Sequence, residues 1–158
     1  MENKMFCYQC QETAGCTGCT QAGVCGKSPR TAKLQDLLIY TTKGLAAVTT
    51  QLRNEGKTVA PELNHWISEN LFITITNANF DDEVILGRIR GTMQHAQTLI
   101  AQLEDSTHLP EASLYQAQSD AELEEKAAQV GVLSAENEDI RSLRELITYG
   151  LKGMAAYT

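Results

Sequence analysis

The chain has 158 residues, with 13 Lys and Arg against 20 Asp and Glu and a formal net charge of −7. That length is enough for one domain with a real core. The negative balance argues against nucleic acid or an anionic membrane as a partner, since both would repel it. No apolar run approaches the roughly 20 residues of a membrane span, and the polar start Met1-Glu2-Asn3-Lys4 runs into cysteines without a signal peptide's apolar stretch.

All five cysteines, Cys7, Cys10, Cys16, Cys19 and Cys25, fall in one short stretch with Gly15, Gly18 and Gly23 between them and Gly26 just after. Glycine admits the positive φ angles needed to wrap a chain around a centre approached from several sides. An odd number of thiols with no secretory leader points to the reducing cytoplasm, and to metal rather than a disulfide framework. Two Cys-x2-Cys pairs, Cys7/Cys10 and Cys16/Cys19, would nominate a zinc site, but the five-residue interval between them is short for one. An iron–sulfur cluster tolerates uneven spacing better and is favoured. Spacing leaves open which four of the five thiols would bind it.

Ser28 and Pro29 read as the cap and first residue of a helix. Leu34, Leu37, Leu38, Thr41, Leu45, Val48 and Leu52 form its apolar face, and it ends near Gly56. Pro61 opens a second helix with Leu63, Trp66, Ile67 and Leu71, whose β-branched end Ile73-Thr74-Ile75-Thr76 leaves helix or strand open. Asn79, with Asp81, Asp82 and Glu83 after it, reads as the acidic start of a third helix. Its stripe is Val84, Ile85, Ile89, Met93, Ala96, Ile100 and Leu103. Residues 104–118 look like a connection. Ser119-Asp120-Ala121-Glu122 is a capping-box pattern opening a short helix that Gly131 would close. The seven carboxylates and one lysine from Glu104 to Lys126 make a solvated face, with docking of a basic electron donor as the alternative.

Leu143–Thr158 aligns without gaps on Leu34–Thr49 at an offset of 109, with eight of sixteen positions identical, among them Tyr40/Tyr149, Lys43/Lys152 and Gly44/Gly153. The same offset places Asn137 on the capping Ser28. Glycine inside a helix costs about 1 kcal/mol relative to alanine, so a repeated glycine suggests a repeated close helix contact. The expected organisation is all-α: a cluster-binding loop at 1–27, a three-helix bundle at 28–105, an acidic connection with a short helix at 106–136, and the first helix of a second, repeated bundle at 137–158. That last helix would leave Ile140, Leu143, Leu146, Ile147, Leu151 and Met154 in need of a partner, either further domains of the same polypeptide or self-association.

Met5-Phe6-Cys7-Tyr8-Gln9-Cys10-Gln11-Glu12-Thr13, Gly18-Cys19, Cys25-Gly26-Lys27 and Leu34-Gln35-Asp36-Leu37-Leu38-Ile39 closely resemble the N-terminus of the hybrid-cluster (prismane) proteins, the hydroxylamine reductases. The resemblance recurs at 74–81, 136–146 and 150–157, and is weakest at 105–125. It implies a Cys-x2-Cys-x8-Cys-x5-Cys ligand set, which falls on Cys7, Cys10, Cys19 and Cys25 and resembles the class holding a [4Fe–4S] cluster. Cys16 lies outside that pattern and is expected to be a free thiol, with exchange into the ligand set of a damaged cluster as the alternative, and Met1–Lys4 is expected to be a short extension. The resemblance further implies a longer parent enzyme with α/β domains holding a hybrid iron–sulfur–oxygen cluster. There hydroxylamine is reduced to ammonia, with nitric oxide as a further substrate.

On that reading the chain takes electrons from a redox donor protein and passes them on, with no catalytic residue and no hydroxylamine turnover of its own. Burial against Phe6, Tyr8 and Val24 would tune the cluster's potential. His65, His95 and His108 match no metal motif. Glu12 is the one carboxylate beside the loop, with a hydrogen-bonded structural role favoured over a proton relay. Two other readings stand beside this one: a self-sufficient ferredoxin-like module, and a zinc-stapled helical binding module without redox activity. The related carbon monoxide dehydrogenases differ in their N-terminal cysteine spacing.

Overall fold

The computed structural model describes residues 4–10, 13–75 and 79–158. The expectations for Glu12 and for the Thr76 end of the second helix lie outside them. The described residues form six α-helices: α1 (Pro29–Asn54), α2 (Pro61–Ile75), α3 (Asp82–Ile100), α4 (Glu111–Leu114), α5 (Asp120–Ala127) and α6 (Glu138–Ala155). Among them the only β pairing is a single bridge in the cysteine loop, so the fold is all-α.

Helix α1 begins as its sequence dictates. Pro29 occupies the first turn, and the Ser28 hydroxyl accepts from the Thr31 amide at 3.0 Å. Its apolar face is buried along its whole length from Leu34 to Leu52. Around the first half, Leu34, Leu37 and Leu38 pack with Ile85, Leu86, Ile89 and Met93 of α3. Around the second half, Leu45, Val48 and Leu52 pack with Val59, Ala96 and Leu99.

Helix α2 packs Leu63, Trp66 and Ile67 against the second core and is also tied in through polar atoms. Asn70, 1% exposed, donates to Thr42 Oγ1 at 3.0 Å and Thr92 Oγ1 at 2.9 Å, and its carbonyl accepts from Arg88 Nε at 2.8 Å. The Arg88 guanidinium lies 3.6 Å over the Trp66 ring, whose Nε1 donates to Thr92 Oγ1. Each polar group taken from water thus regains a partner, which a buried network requires.

Helix α3 has its expected acidic start: the cap is Asp81, whose carboxylate accepts from the Glu83 and Val84 amides, while Asn79 Oδ1 accepts from the Asp81 amide two residues on. The structure corrects several other expectations. Val84 is exposed and Leu86 takes the core position. The stretch 104–118 holds α4, which packs on α1, and α5 sends Leu123 and Ala127 into the first core. Gly131 does not close α5, which ends at Ala127. Its backbone is extended, and a Cβ there would lie 3.0 Å from Asp36 Oδ2.

The repeat holds at its caps, because Asn137 accepts from the Ile140 amide as Ser28 does from Thr31, at the same offset. It fails at its glycines. A Cβ on Gly44 would lie 2.2 Å from the Ala112 carbonyl oxygen of α4, whereas one on Gly153 would meet nothing within 4 Å. Among the described residues the close contact is therefore made at Gly44, where α4 lies across α1, and not at Gly153. Helix α6 lies against α2 and turns Thr148 and Lys152 inward. Ile140, Leu143, Leu146, Ile147, Leu151 and Met154 are 48–69% exposed, so its apolar face is the outer one.

Candidate metal centre

The cysteine loop folds back on itself. Residues 4–7 run antiparallel to 19–20, held by the Lys4 and Met5 amides donating to the Thr20 carbonyl. Cys7 and Cys19 exchange backbone hydrogen bonds at 3.0 and 2.9 Å, which makes them a directly opposed pair. Directly opposed residues project to the same face, so two thiols share one side of the loop. The return depends on Gly18 at φ 110, where a Cβ would lie 2.7 Å from the Phe6 ring. Gly26 at φ 90 reverses the chain again after Cys25. Cys7 and Cys19 are buried with Met5 against Ala32, close to the positive N-terminal end of α1.

The remaining thiols sit further out. Cys10 is half-buried and shares with Cys16 an open groove between the loop and α6, lined also by Phe6, Tyr8, Arg141 and Tyr149. Cys16 is exposed at φ 58, and its carbonyl accepts from the Tyr8 hydroxyl at 3.3 Å. Cys25 is exposed in a turn closed by the Gly23 amide donating to the Lys27 carbonyl. Of the expected ligands, the structure opposes Cys7 and Cys19 directly. Among the described residues no three His, Cys, Asp or Glu side chains are gathered closely enough to hold a metal ion. The apolar shield is thinner than expected: Phe6 is half-buried, but Tyr8 and Val24 are 47% and 64% exposed.

Behind the thiols lies a polar layer that sequence reasoning missed. Lys27 and Lys152 are 1% and 0% exposed and are among the largest fully buried side chains. Lys27 Nζ stands 3.9 Å from Cys7 Sγ. Lys152 Nζ donates to Gln9 Oε1, and Gln9 Nε2 donates to Asp36 Oδ1 at 3.4 Å, so one amide bridges a buried ammonium and a half-buried carboxyl. Burial pushes the Asp36 carboxyl up to about 7, with Lys152 opposing, and pushes the Lys152 ammonium down to about 8, with Asp36 opposing. The Cys7 thiol is raised by burial against the pull of Lys27. The one available signal was Lys152 in register with Lys43 in the repeat, but Lys43 is exposed.

The histidines lie elsewhere. His65 pairs with Glu69 at 3.1 Å, His95 meets the Trp66 ring edge-on at 5.0 Å, and His108 lines a shallow groove beside α1.

The donor chemistry fits an iron–sulfur group. Soft thiols are concentrated in one glycine-turned loop, and the layer behind them holds two buried ammonium groups, a setting suited to an anionic centre. Fold and loop together define a helical domain headed by a thiol-rich, glycine-turned segment. Residues 5–158 match the Prismane/CO dehydrogenase family, and the chain belongs to it. It is 54% identical over 157 residues, 99% of its length, to a hydroxylamine reductase of Desulfovibrio desulfuricans. It is 54% identical over 159 residues to one from Clostridium perfringens, covering 97% of this chain. To hydroxylamine reductase 2 of Clostridium acetobutylicum it is 50% identical over 180 residues, again over 97% of this chain. The match spans 29%, 29% and 31% of those relatives, so the chain corresponds to less than a third of each. Among the described residues no helix is long and apolar enough to cross a membrane.

Proposed function

We propose that this chain is the electron-transfer head of a hydroxylamine reductase, with Cys7, Cys10, Cys19 and Cys25 holding one [4Fe–4S] cluster. In this reading the hybrid cluster that reduces hydroxylamine to ammonia, and that also takes nitric oxide, belongs to further domains of the same cytoplasmic polypeptide. The [4Fe–4S] group would supply one-electron storage between a donor protein and that centre. The chain's own residues do the rest. Cys7 and Cys19, joined by the backbone bridge, would hold one side of the cluster, and the more exposed Cys10 and Cys25 would supply its other two thiol ligands. The exposed face of α6 fits the start of a second bundle, consistent with units at 1–27, 28–105, 106–136 and 137–158.

The observation that carries this reading is the opposed Cys7/Cys19 pair inside a family match covering 5–158. Anaerobic reconstitution followed by iron and sulfide analysis tests it. About four irons per chain are expected, lost in Cys25→Ser and retained in Cys16→Ser. A colourless chain that binds zinc, or iron content that depends on Cys16 and not on Cys25, would refute it.

A further inference from the structure

The two buried lysines behind the thiol loop are not equivalent. Lys152 has the Gln9 amide and, through it, the Asp36 carboxyl. Lys27 is as deeply buried, yet among the described residues it forms no ion pair; its neighbours are Cys7 Sγ at 3.9 Å and the Phe80 ring, 5.8 Å from Nζ to the centroid. A buried ammonium without a closely paired counter-charge is strongly disfavoured; Lys27 feels the Asp36 carboxyl only at longer range, and the hydrogen-bond partner of its Nζ among the described residues is the Cys7 sulfur. The backbone holds it there, since the Lys27 carbonyl accepts from the Gly23 amide across the Cys25 turn.

We propose that Lys27 is a positioning residue for electron transfer: its ammonium is the counter-charge of the thiolate-bound cluster and raises the cluster's reduction potential. The inference rests on the cluster reading above. A cluster held by four thiolates gains one negative charge when one electron enters. A fixed positive charge beside one of its ligands therefore stabilises the reduced form more than the oxidised form. The reductant is dithionite in the test and the donor protein in the parent enzyme; no bond forms or breaks.

The test compares the reconstituted wild-type chain with Lys27→Met, Lys27→Gln and Lys27→Arg. Iron and sulfide content is measured first, and then the midpoint potential by anaerobic titration with dithionite. The Met and Gln variants should keep their iron and become at least tenfold harder to reduce, a drop of about 59 mV for a one-electron couple. Lys27→Arg should stay near wild type, because it keeps the charge. A neutral variant with full iron and an unchanged potential overturns the proposal, as does an Arg variant that falls as far as Met. A wild-type chain that takes up no iron overturns the cluster reading itself, and this inference with it.

Discussion

The glycines at 44 and 153 occupy equivalent places in two sequence-related helices, and alanine at each should act with opposite sign. At Gly153 an added Cβ meets nothing within 4 Å, so only helix propensity changes. The gain should be about 0.5–1 kcal/mol, toward the low end because α6 ends two residues later at Ala155. At Gly44 the same propensity gain is opposed by collision with backbone: the Cβ would lie 2.2 Å from Ala112 O, 2.4 Å from its carbonyl carbon and 2.8 Å from the Ser113 amide nitrogen. None of these is the tip of a flexible side chain, so relief means lifting α4 off α1. That movement also strains the buried hydrogen bond that Ser113 Oγ donates to the Gly44 carbonyl at 2.8 Å. Overpacking typically costs about 1–3 kcal/mol and a strained buried hydrogen bond about 1 kcal/mol more. The net loss after the propensity gain is about 1–3 kcal/mol. At about 2–4 °C per kcal/mol for a chain of this size, Gly44→Ala should lower Tm by roughly 3–10 °C, while Gly153→Ala leaves it equal or slightly higher. Thermal and urea unfolding followed by circular dichroism read both. If Gly44→Ala proved as stable as wild type, the packing of α4 on α1 would be wrong.

The half-buried carboxyl of Asp36 should shape the pH dependence of stability. With its folded pKa raised from 3.8 to about 7, its contribution is fully present below about pH 4 and is lost as pH rises to 7, a change on the order of a few kcal/mol. Lys152, lowered from 10.5 to about 8, acts in the opposite sense, so stability should recover between about pH 8 and 10. Urea midpoints of wild type and Asp36→Asn should therefore diverge between pH 4 and 7; a constant difference across that window would count against the burial of Asp36. Asn70→Ala leaves Arg88 Nε without its 2.8 Å partner inside the bundle and should cost about 1–3 kcal/mol in urea unfolding, with near-neutrality as the refuting result. Gly18→Ala forces a side chain into φ 110 against the Phe6 ring, so hydrogen exchange at the Cys7 and Cys19 amides should speed up; unchanged protection would mean that the bridge does not depend on that turn.

Much of this protein was legible one residue at a time. Capping chemistry is local, so Ser28, Pro29, Ser119 and Asn137 marked helix starts that the structure reproduces. Periodicity is nearly as local, and the face from Leu34 to Leu52 is buried as its spacing required. Thiol spacing carried the family resemblance. Errors arose where a segment's polar composition hid its packing: 104–118 reads as a connection, yet it holds α4 against α1.

What tertiary structure alone decided depends on segments far apart in the chain. The Gly44 contact comes from residue 112, and the buried setting of Lys152 from Gln9 and Asp36. Leu123 reaches the core because α5 folds back on α1, although its own segment reads as an acidic connection. The 34–49 and 143–158 segments share caps and half their residues, yet one buries its apolar face and the other turns its apolar face outward. A helix's own sequence sets its stripe. Which side of that stripe meets other residues depends on the surfaces packed against it, and local spacing does not encode them.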